Sequence, residues 1–354
     1  MLLAGCQSAA PDTDGDSGKA GAGKTLALIG LYAAPYTVNI AAGAAAAAAL
    51  DGAEFLSLGP TALDPNKAIS DFQNTVSSGT VGVLAMAFPS ELWTTPIDRA
   101  SDLGVTVVTS DVSAPDSAAV THVGPGKVAM GAALADAYAA VLDEDAEGII
   151  VPGICVAGLR NLEAPLEGFA DRLEAARPGI DVIEPEVTAG DIPGNFAAWQ
   201  RIQAKYPDAL GFVGACDQDL LNLLKMKEAV EGDFLIGTTA GGDDPEAAAA
   251  IAGGEMVGAV TQRSWLQGYV GMRIVADHAF RDVALPVGWI DTGFDIVNSE
   301  NADEIVEVLN DPALAEKLYK ELGDRLVSEA AGADLPAVDF PNDLASIDLP
   351  NPQP

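Results

Sequence analysis

The sequence predicts an α/β protein of two doubly wound parallel-sheet lobes joined by a multi-strand hinge, with added C-terminal helices and a tail. Three observations predict it. Short apolar runs alternate with longer stretches at helical spacing, the pattern of parallel strands covered by helices. The alternation pauses at Gly124-Pro125-Gly126 and then begins again. The last runs lead back towards the first half, so the chain crosses between its lobes more than once.

In the first half the strands fall at 26–31, 54–58, 81–85, 105–109 and 120–123. Helical spacing covers 36–50, 64–78 and 91–103 between them. Pro89-Ser90-Glu91 opens the third of these helices and Gly104 stands where it ends. After the pause comes a helix at 128–142, then strands at 148–152, 182–186, 210–214 and 234–237. Helices at 162–176, 196–205, 218–230 and 245–252 alternate with them. A strand at 256–261, a helix at 265–281 and a late strand at 287–291 complete the pattern. Residues 303–332 read as one or two added helices, and 333–354 as a Pro/Asp-rich tail. The expected division is 25–124 plus 263–291 for the N-terminal lobe. Residues 125–262 plus 292–332 form the C-terminal lobe and its added helices.

A chain of 354 residues is long enough for two lobes, each with a core of its own. Its 52 acidic against 18 basic residues give a net charge of −34. Such a surface repels phosphate backbones and anionic headgroups, which argues against nucleic acid as a partner. The acids are spread along the whole chain, which is the distribution of a solubilising surface. No run of eighteen apolar residues occurs, so nothing here spans a membrane as a helix.

Residues 1–6, Met-Leu-Leu-Ala-Gly-Cys, resemble the end of a bacterial lipoprotein signal, cut short at its basic and apolar parts. Small residues before the cut and a thiol at Cys6 are what lipid transfer needs. The resemblance implies an extracytoplasmic protein, attached to the cell membrane by lipid on Cys6. Residues 7–24 read as a flexible tether. Within it, Gly18 to Thr25 spells the G-x-x-x-x-G-K-T phosphate-loop pattern. A working phosphate loop follows a strand and opens a helix. Here a tether precedes the motif and a strand follows it, so no nucleotide is expected.

The ordered motifs of residues 25–293 resemble those of ribose-type sugar-binding proteins of the type I periplasmic-binding-protein family. Ala34-Pro35-Tyr36 is similar to the family's Asn-Pro-Phe after the first strand. The strand ending Ser110-Asp111 is similar to the one that presents a sugar-binding aspartate. His122-Val123-Gly124 matches the first interlobe crossing, and Glu167-Gly168-Phe169 the Gly-Phe that follows the binding arginines. Ala215-Cys216-Asp217 resembles a strand end reading Asn-Asp, and Val260-Thr261-Gln262 a strand that ends in a hinge glutamine. The chain departs from the family in four places. Cys216 replaces Asn, Val112 replaces an arginine, Gly237-Thr238-Thr239 replaces Gly-Phe-Asp, and Arg160 is the nearest arginine before Gly168. These losses argue against ribose itself.

The resemblance implies the solute-binding component of an ABC uptake transporter. It would capture a sugar or polyol in the interlobe cleft and dock on a membrane permease, as a monomer and without a cofactor. A sensor that reports a small signal molecule to a membrane receptor is the alternative. No catalytic constellation is present, so an enzyme is not expected. A repressor of this fold would need an N-terminal DNA-binding motif that the sequence lacks.

Ligands of open parallel sheets bind beyond the carboxyl ends of strands, which selects the candidate contacts. Asp111 is a two-hydroxyl acceptor or a turn residue, and Gln262 a contact or a hinge residue. Tyr36 and Phe88 are ring platforms or lobe-edge packing. Asp217, Cys216 and Thr239 follow strands of the second lobe. Arg160 is a ligand fork or half of a structural ion pair. Trp265 overlooks the cleft or packs between helices, and Trp199 reads as core. Cys155 and Cys216 end neighbouring strands and are candidates for a disulfide, which persists outside the cytoplasm. His122 and His278 are isolated and offer no metal-ligand spacing.

Overall fold

The computed structural model describes residues 18–31, 35–309 and 311–331. Cys6 and the expected tail at 333–354 lie outside the described residues, as does Ala34. Two parallel sheets form the two lobes. The first half of the chain runs β1 (Thr25–Ile29), α1 (Pro35–Leu50), β2 (Glu54–Leu58), α2 (Pro65–Ser77), β3 (Gly82–Ala85), α3 (Ser90–Asp102), β4 (Thr106–Ser110) and β5 (Thr121–Gly124). It crosses into α4 (Lys127–Val141), β6 (Gly148–Ile154), α5 (Arg160–Ala176), β7 (Ile180–Val182), β8 (Glu186–Val187), α6 (Ile192–Lys205), β9 (Gly211–Gly214) and α7 (Asp217–Val230). Next come β10 (Leu235–Thr238), α8 (Pro245–Ala252), β11 (Gly258–Thr261), α9 (Ser264–Arg281), β12 (Gly288–Asp291), β13 (Asp295–Asn298), α10 (Ala302–Leu309) and α11 (Pro312–Ala330).

The first sheet is ordered β12-β5-β4-β3-β1-β2, and the second β13-β11-β10-β9-β6-β7 with β8 beside β6. Both orders reverse direction beside their first strand, between β1 and β3 and between β6 and β9. Loops leaving those strands on either side of the reversal part from one another, which opens a crevice at the carboxyl edge of each sheet. The two crevices face each other. Central strands such as β3, β4 and β11 are buried along their whole length, as parallel strands covered by helices on both faces must be, whereas the edge strand β2 is largely exposed.

Each lobe is closed by the same helix crossing. α9 lies on α1 through Gly43 and Gly268; a Cβ on either would stand 1.9 Å from a backbone oxygen of the other helix. α4 lies on α5 through Gly131 and Gly168 in the same way, with corresponding distances of 1.7 and 2.1 Å. Only glycine allows backbones this close.

Three segments join the lobes: β5 into α4, β11 into α9, and β12 into β13. At the second, Arg263 takes a left-handed backbone conformation (φ 50°) as α9 begins. Its guanidinium spans the hinge, donating from Nε to Asp295 at 2.9 Å and from Nη1 to the Thr292 carbonyl at 3.3 Å.

Several expectations need correction. The run expected as one strand at 182–186 is two short ones, because Pro185 has no N–H to give to a ladder. α6 begins at Ile192, four residues before its expected start, because Asp191 caps it by accepting from Gly194 N–H at 2.9 Å. β13, antiparallel to β11, has no counterpart among the expected strands. α11, expected with the C-terminal lobe, packs on α9 of the first lobe. Its Asp324 accepts from Tyr269 Oη at 2.6 Å and from Arg273 Nη1 at 2.9 Å. Residues 18–24, expected as tether, form turns docked on the first lobe. Gly21 N–H donates to Asp51 O at 2.9 Å, and Lys24 Nζ lies 5.2 Å over the Phe280 ring. Thr25 starts a strand rather than a helix, so the phosphate-loop pattern has no helix to open.

Candidate functional site

The interlobe cleft is organised around Asp111. The residue follows β4 directly in a left-handed conformation (φ 62°), and it is only 4% exposed. Its Oδ1 accepts from Lys127 Nζ at 2.8 Å, and its Oδ2 from Asn161 Nδ2 at 2.8 Å. Asp111 belongs to the first lobe, whereas α4 and α5 bring Lys127 and Asn161 from the second. Behind the pair, the His122 ring meets Thr109 Oγ1 at 3.0 Å. Burial holds its pKa down at about 3, despite the upward pull of Asp111, so the imidazole is neutral.

Lys127 is the first residue of α4. A cation there opposes the helix dipole, and α4 has no side-chain cap. The ammonium also donates to Gln262 Oε1 at 2.5 Å and stands 6.0 Å from the Tyr36 ring centre. Gln262 O accepts from Gln267 Nε2 at 2.8 Å, and Gln267 Oε1 accepts from Tyr36 Oη at 3.1 Å. One hydrogen-bonded chain therefore runs Tyr36–Gln267–Gln262–Lys127–Asp111–Asn161, through both lobes and the hinge. Burial raises the Tyr36 hydroxyl well above the ordinary tyrosine range, which keeps it a neutral donor.

Asp217 opens α7 on the opposite wall and faces the Tyr36 backbone across the cleft. Burial pushes its carboxyl up to about 7, and the charge of Asp243 adds to the rise. Asn39 of α1 reaches Asp243 Oδ2 at 3.5 Å, a second polar contact between the lobes, and burial raises Asp243 as well. The lobes are thus closed on each other. Cys155 and Cys216, at the ends of β6 and β9, are joined by a disulfide with Cα atoms 6.3 Å apart. Deeper still, Asp219 accepts from Trp199 Nε1 at 2.8 Å and Asn195 Nδ2 at 2.6 Å. Burial lifts Asp219 to about 6.

The cleft has two chambers that share Asp111, Leu159 and Asn161. Tyr36, Cys216, Asp217, Thr239 and Gln262 line the inner chamber, with Leu31, Met86 and Ala215 from the two sheet reversals. At about 50 Å³ it holds less than two waters' share of liquid, roughly 30 Å³ each, so a ring enters only when the lobes part. Phe88 and Arg160 line the outer chamber, of about 200 Å³, together with Lys127. Arg160 is also ion-paired through Nη2 with Glu167 Oε2 at 2.6 Å, the structural alternative open to it. Trp265 lines neither chamber. Its ring stacks on Tyr269, with centroids 5.1 Å apart, and on Tyr319 of α11, which corrects the expectation that it overlooks the cleft.

Sequence reasoning missed Lys127 and Asn161. Lys127 did carry a signal: a lone cation at the start of an alanine-rich helix in a strongly acidic chain, where the dipole disfavours it. Asn161 stands beside the more conspicuous Arg160 and carries none. Among the described residues no group of three or more His, Cys, Asp or Glu side chains could hold a metal ion.

The model of the periplasmic binding protein domain matches residues 28–281. An ABC transporter solute-binding protein from Burkholderia graminis, solved with D-arabinose, is 21% identical with a TM-score of 0.73. That match covers 79% of this chain and 97% of the other. One from Agrobacterium vitis bound to α-D-tagatopyranose is 21% identical, TM-score 0.71, covering 82% and 98%. A periplasmic ribose ABC transporter protein from Conexibacter woesei is 22% identical, TM-score 0.68, covering 82% and 97%. At these identities the likeness carries the fold. No curated protein sequence matches the chain.

Proposed function

The chain belongs to the periplasmic binding protein domain family, and from that premise we propose that it captures a sugar or polyol between its lobes for an ABC uptake transporter. The observation that carries this reading is the balance of the cleft. Asp111 and Lys127 cancel each other's charge, which suits a neutral solute. Asn161 Oδ1 is buried without a hydrogen-bond partner, an acceptor open to a hydroxyl. The Tyr36 ring, Leu31, Met86 and Leu159 offer apolar surface to the C–H face of a ring. The sugars bound to the solved relatives from Burkholderia graminis and Agrobacterium vitis support the same class.

The protein contributes binding and closure rather than bond chemistry. A solute that bridges Asp111 of one lobe and Asn161 of the other stabilises the closed form, and a permease distinguishes that form from the open one. Proteins of this family work outside the cytoplasm. Lipid on Cys6 would hold this one to the membrane as a monomer, and replacing Cys6 by Ser would release it into the medium.

The test is thermal melting of the protein against pentoses, hexoses, polyols, amino acids and nucleosides. A solute that binds only the folded state adds about 2.7 kcal/mol at a hundredfold excess over its Kd. A shift with a sugar or polyol supports the proposal. Shifts confined to amino acids or nucleosides overturn the solute class.

A further inference from the structure

Lys127 is an expensive residue to keep where it is. Its side chain is 4% exposed, it starts a helix whose dipole repels it, and its partner Asp111 holds a left-handed backbone. A pair that served only to satisfy itself would leave nothing over. This one does. An ammonium has three donors, and Lys127 spends two, on Asp111 and Gln262. Asn161 spends its amide on Asp111, and its Oδ1 has no partner. Lys127 and Asn161 both line the outer chamber, whose apolar wall is Phe88, Pro89 and Leu159. The chamber therefore offers a spare cationic donor, a spare neutral acceptor and an aromatic side chain.

We infer that Lys127 contacts the solute directly and sets which hydroxyl pattern the cleft accepts. The inference rests on the proposal that the cleft takes a polyhydroxylated solute, and it fixes how that solute is read. One ring oxygen or hydroxyl oxygen accepts from Lys127 Nζ, a second hydroxyl donates to Asn161 Oδ1, and one C–H face of the ring lies on the Phe88 side. A solute lacking the first oxygen leaves a buried cationic donor without its acceptor. One lacking the second leaves Asn161 as it is now. Discrimination is therefore steeper at the position that Lys127 reads.

The experiment is a calorimetric cycle between protein and sugar. D-arabinose, D-xylose, D-ribose and D-galactose, each with its monodeoxy analogues, are titrated into the wild type, Lys127→Arg, Lys127→Met and Asn161→Ala. In the wild type one deoxy position costs about ten- to a hundredfold in Kd, the loss of one hydrogen bond to a charged group. In Lys127→Met that penalty vanishes while the others remain. Lys127→Arg keeps the charge pair with Asp111 and moves the donor, so the penalised position changes or weakens. It decides the matter alone should Lys127→Met fail to fold. Identical deoxy penalties in wild type and lysine variants, whatever the change in overall affinity, would overturn the inference and leave sugar capture standing. No binding of any of these sugars to the wild type would overturn both.

Discussion

Closure of the ligand-free lobes should weaken as the pH rises from about 4 to neutrality, and Asp217 is the main group responsible. In the closed form burial, and then Asp243, push its carboxyl up to about 7. With the lobes apart, the same side chain faces water and returns towards the ordinary aspartate value, about 3.9. The closed form therefore binds the proton more tightly than the open form. Below about pH 4 both forms hold it and closure carries no penalty from this group. Between about pH 4 and 7 the penalty grows, and above 7 it is complete. Three pKa units at about 1.36 kcal/mol each set an upper limit of about 4 kcal/mol, or roughly a thousandfold in the closed-to-open ratio. Solvent still reaches part of the side chain, so the observed change should fall below that limit. Small-angle scattering of the ligand-free protein reads it directly. The radius of gyration should rise between pH 5 and 8.5. In Asp217→Asn the rise should shrink to the part that Asp243 supplies, since burial raises that carboxyl too. A radius that stays fixed or contracts in the wild type, or an undiminished rise in the variant, would show that Asp217 does not govern closure.

Other substitutions have expected outcomes on stability. Replacing Cys155 and Cys216 together by Ala frees a loop spanning 61 residues and should cost up to about 4 kcal/mol in denaturant unfolding. Gly131→Ala puts a Cβ 1.7 Å from the Pro165 carbonyl oxygen, so α4 and α5 must separate. A loss of about 1–3 kcal/mol or more by calorimetry is expected, and none if the helices are loosely packed. Lys127→Met leaves Asp111 buried without its cation and should cost about 3–5 kcal/mol. Adding Asp111→Asn should restore much of that, because the uncompensated charge is then gone.

The alternation of apolar runs and helical stretches made both lobes legible, since buried parallel strands must be continuously apolar. β13 escaped because its four residues, Asp295 to Asn298, hold only two apolar side chains between polar ends, and it lies on a sheet edge. α11 was legible as a helix but not as part of the first lobe. Its docking depends on Asp324 meeting Tyr269 and Arg273, a pairing with no local pattern. Strand ends pointed to Asp111, Asp217, Thr239 and Gln262, because the doubly wound sheet fixes where loops open. Asn161 was illegible, because it is the second residue of α5, beside the more conspicuous Arg160, and gains its role only when the lobes close on Asp111. Trp265 misled because nearness to Gln262 in sequence says nothing about which face of α9 a ring takes. That face belongs to α11.

Hydrogen–deuterium exchange at saturating sugar, using the sugar with the largest thermal shift, reads capture between the lobes segment by segment. Exchange should slow in both lobes and the hinge at once: around 36–39, 110–113, 124–128, 156–162, 215–219 and 261–264. Protection confined to one lobe, or to a surface away from these segments, would contradict capture in the interlobe cleft.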